Sequence, residues 1–97
     1  MATSVPIRPG IAVPPGETLA EELEARGLTQ RALALRIGKS SRVVNAICRG
    51  ERAINADTAL ALESALDGLS AEFWLRLQSD YDLTVARLRA RTGKAVS

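Results

Sequence analysis

The chain has no histidine and one cysteine, Cys48, in 97 residues. Without an imidazole there is no Ser-His-Asp triad, no Cys-His pair and no histidine-built zinc site. A single cysteine forms no internal disulfide, which suits a reducing compartment. Aromatic residues are scarce: Phe73, Trp74 and Tyr81 are the only three, clustered in one short segment. No apolar run approaches the roughly 18 residues of a membrane span, so no membrane association is expected. The N-terminus has no charged start followed by an apolar stretch, so a secretion signal is not expected and a cytoplasmic protein is. Alternating β-branched runs are missing as well, which argues against strands. No nucleophile-base pair, phosphate loop or metal set appears, so neither an enzyme, a cofactor nor a small-molecule substrate is expected.

Hydrophobic residues make up 46% of the chain and charged residues 25%, the balance of a globular domain. All four prolines (Pro6, Pro9, Pro14 and Pro15) lie in residues 1–15. Proline fixes its own φ and lacks a donor, so this stretch reads as an extended arm. The remainder, 16–92, reads as an all-α domain of five helices, with 93–97 a flexible tail. The first helix runs from Glu17 to Arg26, opened by Gly16, closed by Gly27 and lined inside by Leu19 and Leu23. The second runs from Gln30 to Ile37 behind the cap Thr29, with Leu33, Ala34 and Ile37 inward. The third follows the cap Ser40 and ends near Cys48, with Val44 and Ile47 inward. The fourth runs from Ala56 to Leu66 behind Asn55, with Ala59, Leu62 and Leu66 inward. The fifth begins after Ser70 and runs to about Arg91, the longest of the five.

Charge is divided along the chain. From Thr29 to Arg52 there are six bases (Arg31, Arg36, Lys39, Arg42, Arg49, Arg52) and one acid, Glu51. From Glu17 to Glu24 there are four acids and no base. The middle of the chain is therefore the part suited to a polyanion. The same stretch has the spacing of two short helices crossing at a wide angle. Ala34 is small where the helices cross, Gly38 tolerates the positive φ of the turn, and Val44 and Ile47 face back three residues apart.

Residues Leu28 to Leu66 (LTQRALALRIGKSSRVVNAICRGERAINADTALALESAL) resemble the lambda-repressor-like, or XRE, helix-turn-helix family. Pro15 to Leu23, Arg52 to Leu60 and Glu72 to Leu83 (EFWLRLQSDYDL) are similar to the HigA-type antitoxins within it. The resemblance implies a five-helix lambda-repressor-like domain with a long C-terminal helix. It also implies a sequence-specific DNA-binding antitoxin that represses its own toxin-antitoxin operon as a dimer and neutralises a HigB/RelE-like mRNA-cleaving toxin. An XRE-family transcriptional regulator with no toxin partner is the alternative.

In that family the third helix enters the major groove N-terminus first. Ser40, Ser41, Arg42 and Asn45 are then the expected base contacts, Arg42 for its bidentate fit to guanine. Gln30, Lys39, Arg49 and Arg52 are the expected contacts to the DNA backbone. On the fifth helix Trp74, Leu77, Tyr81, Val85 and Leu88 recur at helical spacing, the expected homodimer seam, with Phe73, Trp74 and Leu77 shared with the core. Glu17, Glu21, Glu22 and Glu24 are candidates for a basic toxin, and Arg89, Arg91 and Lys94 for added affinity.

Overall fold

The computed structural model describes residues 11–96, with side chains described through Arg91. The expectations for residues 1–10 of the arm and for the Lys94 side chain lie outside the described residues. Five helices follow one another: α1 (Pro15–Arg26), α2 (Gln30–Ile37), α3 (Ser41–Cys48), α4 (Ala56–Ala65) and α5 (Ala71–Val96). No strand occurs among the described residues.

Helices α2, α3 and α4 each start where a side chain satisfies an amide that the helix cannot. Thr29 Oγ1 accepts from Ala32 N at 3.0 Å, Ser40 Oγ from Val43 N at 3.2 Å, and Asn55 Oδ1 from Thr58 N at 2.8 Å. Gly38 ends α2 in the left-handed region (φ 69°), which an L side chain adopts only with strain. Helix α1 begins two residues before the expected Glu17. Proline at a first helical position loses no hydrogen bond there and has a suitable φ, so Pro15 starts the helix. Helix α5 runs past the expected end at Arg91 to Val96, although Gly93 is a poor helix former.

The core joins all five helices. Leu19, Leu23, Leu33, Ala34, Val44, Ile47, Ala59, Leu62 and Leu66 are buried at the expected positions, while Ile37 is half-buried at the margin. Trp74 is completely buried and Leu77 nearly so. A ring with no exposed surface offers none to a second copy, so Trp74 belongs to the protomer's core and not to a seam. Phe73 packs edge-on against it, with ring centroids 5.1 Å apart. Beyond Leu77 the stripe leaves the core: Tyr81, Val85 and Leu88 are half-exposed and Leu83 is 47% exposed.

Two buried contacts had no sequence expectation. Ile54 sits in the connection between α3 and α4 yet is only 2% exposed. Gln78, on α5, is also buried, and its Oε1 accepts from Ile54 N at 2.8 Å. At the other end of α4, Glu63 Oε2 accepts from Ala71 N at 3.0 Å, while Ser70 Oγ accepts from Phe73 N at 3.1 Å. The α5 N-terminus is thus capped twice, once by a carboxylate from another helix, where the dipole favours negative charge. Glu63→Ala is expected to lower stability by about 1 kcal/mol, seen as a Tm lower by about 5 °C. An unchanged Tm would show that Ser70 alone suffices.

Candidate nucleic-acid interface

Helix α3 has two faces with different duties. Val44 and Ile47 anchor it in the core, and Val43 and Cys48 pack at its edges. Ser41, Arg42 and Asn45 are exposed on the opposite side. Positions three and four apart share a helix face, so these three form one polar outward surface. Ser40 lies at the same end, but its oxygen is engaged in capping α3. Its hydroxyl proton still has a donor role to fill.

Gln30, the first residue of α2, is brought to this surface by the turn between the helices. Its Oε1 accepts from Asn45 Nδ2 at 3.1 Å, although the two residues are 15 apart in sequence. The amide of Asn45 is therefore oriented before any partner arrives. It keeps its Oδ1 acceptor and a second N–H, the pair needed for the N6 and N7 edge of adenine.

The flanking bases are disposed unequally. Lys39, in the turn before α3, is half-exposed; Arg42 and Arg52 are exposed and make no hydrogen bond or ion pair among the described residues. Arg49 caps the C-terminus of α3 and pairs with Glu51 at 3.4 Å, both side chains mostly in solvent. Such an exposed pair is weak and easily exchanged for a stronger anion. Arg36 is turned away to the end of α4, where its Nη1 donates to Ala65 O at 3.4 Å. Glu51 is the one acid among these bases; on α1, Glu17, Glu21 and Glu24 are exposed and Glu22 is tied to Arg26 at 3.1 Å.

The placement of α3 depends on one glycine that reads in sequence only as a helix opener. A Cβ on Gly16 would stand 1.7 Å from Ile47 O and 2.8 Å from Cys48 Cα. The first turn of α1 thus lies directly on the backbone of the last turn of α3, an approach only glycine permits. The single cysteine is part of this junction. Burial pushes the Cys48 thiol above its usual pKa, so it stays protonated at neutral pH and acts as a small apolar group.

Two short capped helices around a glycine turn, the second presenting polar side chains between flanking bases, define a helix-turn-helix protein. A helix-turn-helix family model, HTH_3, matches residues 19–74. Virulence-associated protein I of Dichelobacter nodosus is 45% identical over 76 residues, which span 77% of this chain and 69% of that protein. An addiction module antidote protein of the HigA family from Coxiella burnetii is similar in structure, with a TM-score of 0.75 and 40% identity over 93% of this chain and 92% of its own. The Pseudomonas aeruginosa antitoxin HigA, solved with the higBA promoter, superposes with a TM-score of 0.76 and is 39% identical over 90% of this chain and 92% of its own. The chain belongs to the XRE-type helix-turn-helix family and, within it, to the HigA-type antitoxins.

Proposed function

We propose that this protein is a DNA-binding antitoxin that represses its own operon as a dimer and neutralises a HigB/RelE-like toxin. The observation that carries the DNA-binding part is the outward face of α3, where Arg42 is unpaired and Asn45 is oriented by Gln30, with Lys39 and Arg52 to either side in sequence. Two solved structures of similar fold from Pseudomonas aeruginosa hold operator or promoter DNA, which supports the same use here. In this reading α3 lies in the major groove. Ser41, Arg42 and Asn45 meet base edges, Ser40 donates from the helix end, and Gln30, Lys39, Arg49 and Arg52 meet phosphates. A groove-reading protein needs DNA in its own compartment, so the reading puts it in the cytoplasm. It has no enzymatic role.

The dimer part rests on the half of α5 that the core does not cover. Tyr81, Val85 and Leu88 share one face there, and Leu77 lies at the margin. Pairing two copies along this face would present two α3 helices to successive turns of one duplex. Toxin binding rests on the family and on the run of Glu17, Glu21, Glu22 and Glu24 along α1, which would complement a basic ribonuclease.

Titration with duplex DNA over a salt series tests the reading. Log affinity is expected to fall linearly with log salt, by about 0.9 for each phosphate contacted. Affinity that does not respond to salt would reject it. Co-expression with the product of the adjacent reading frame tests the toxin. Rescue of growth supports an antitoxin, and an adjacent product without toxicity favours the regulator with no toxin partner.

A further inference from the structure

The segment between α3 and α4 is tied at both ends. Near its start Glu51 N donates to Ala46 O at 2.8 Å, which fixes it to α3. At its end the buried Ile54 donates its N–H to Gln78 Oε1 at 2.8 Å, which fixes it to α5. Gln78 Nε2 donates in turn to Asp82 Oδ1 at 2.9 Å. A carboxylate only accepts, so Asp82 determines which end of the Gln78 amide faces Ile54. Among the described residues this is the one side-chain hydrogen bond between the segment and α5. Beside it lies an open cleft of about 150 Å³, with Gly50, Arg52 and Ala53 on one wall and Gln78, Tyr81 and Asp82 on the other. The Ile54 side chain packs in the core and Gly50 lies against Pro14, while Arg52 and Ala53 between them are exposed beside the cleft. Arg52 has no side-chain partner among the described residues, so its backbone alone sets where its guanidinium starts.

We propose that Gln78 is a positioning residue for DNA binding. Through the Ile54 N–H it holds the segment carrying Arg52 at a fixed place relative to α3, so that Arg52 meets a phosphate while α3 occupies the groove. The inference rests on the duplex-binding reading above and adds a residue that touches no DNA.

A double-mutant cycle with Arg52 tests it, using a duplex that the wild-type protein selects from a random pool. Gln78→Leu preserves the side-chain bulk and removes both hydrogen bonds. It is expected to weaken binding about five- to tenfold and to lower the salt slope by about one per protomer. In an Arg52→Ala background the same change is expected to cost nothing further. A residue that only supports the fold would lower the Tm but leave the salt slope unchanged, and its effect would persist without Arg52; that result overturns the proposal. If Gln78→Leu does not fold, Asp82→Ala replaces it, since this exposed residue orients the amide from outside. Its expected effect is about a threefold loss with the same dependence on Arg52. Wild-type protein that binds no duplex rejects the DNA-binding reading and the proposal together. Wild-type binding with an additive cycle rejects the proposal alone.

Discussion

Gly16→Ala is expected to lower stability by about 3 kcal/mol, which for a domain this small lowers the Tm by about 15 °C. Alanine is the better helix former by about 1 kcal/mol, so propensity alone predicts the opposite sign. The contact decides the matter. A methyl group at this position would stand 1.7 Å from Ile47 O, and the neighbour is backbone, which cannot rotate away as a side chain could. Either α1 shifts off α3 or the last turn of α3 deforms, and both open the core around Leu19 and Ile47. Gly27→Ala provides the contrast. Gly27 has a positive φ of 68° with open space around it, so its replacement adds strain without a clash. About 1 kcal/mol is expected there. Thermal unfolding of the two variants separates the cases, and a Gly16→Ala protein as stable as wild type would refute the close approach. DNA affinity of the Gly16 variant should fall as well, since the displaced element is α3.

The second large effect belongs to Arg42. Arg42→Ala is expected to weaken binding to a selected duplex about 10- to 100-fold and to relax preference at one base position, with the Tm unchanged. The side chain is exposed and holds nothing in the fold, so a stability change is not expected. Arg52→Ala should behave differently, weakening binding to all sequences alike and lowering the salt slope by about one. Competition between the selected duplex and a scrambled one distinguishes the two. If Arg42→Ala weakened both duplexes equally, Arg42 would be a phosphate contact and base reading would fall to Asn45 and the shape of the groove.

These predictions divide along what the sequence makes legible. The short helices could be placed because their causes are local. Thr29, Ser40 and Asn55 cap amides three residues on, and glycine follows where α1 and α2 stop. The inward faces follow from periodicity: Leu33 with Ala34, Val44 with Ile47, and Ala59 with Leu62 are all buried. The outward face of α3 is the complement of its inward one, so exposure of Ser41, Arg42 and Asn45 follows from the same pattern. The ends of α1 and α5 were less legible, because proline and glycine are tolerated at some helical positions and not at others.

Contacts between distant parts of the chain left weaker traces. The pairing of Gln30 with Asn45 depends on the crossing angle of two helices, which no local pattern specifies. Glu63 capping α5 and Gln78 holding Ile54 are polar side chains whose partners lie on other elements. One trace was present for Gln78: it sits between Trp74, Leu77 and Tyr81 on the buried side of α5, where a polar residue calls for a partner. The fate of Trp74 shows the same limit, since an apolar stripe at helical spacing reads equally as core or as seam. Helix α5 is longer than the core beneath it, and only the packed structure shows where the cover stops, just beyond Leu77.

Sequence by itself determined the all-α class, the capped helix pair around Gly38 and the polar face of α3, because each follows from interactions spanning a few residues. Tertiary structure decided the rest. It made Gly16 the seat of α3, oriented Asn45 through Gln30, tied the Arg52 segment to α5 through Gln78, and buried Trp74 while leaving Tyr81 and Val85 half-exposed. Those outcomes depend on how close two elements approach, and that distance is set by the packing of the whole domain.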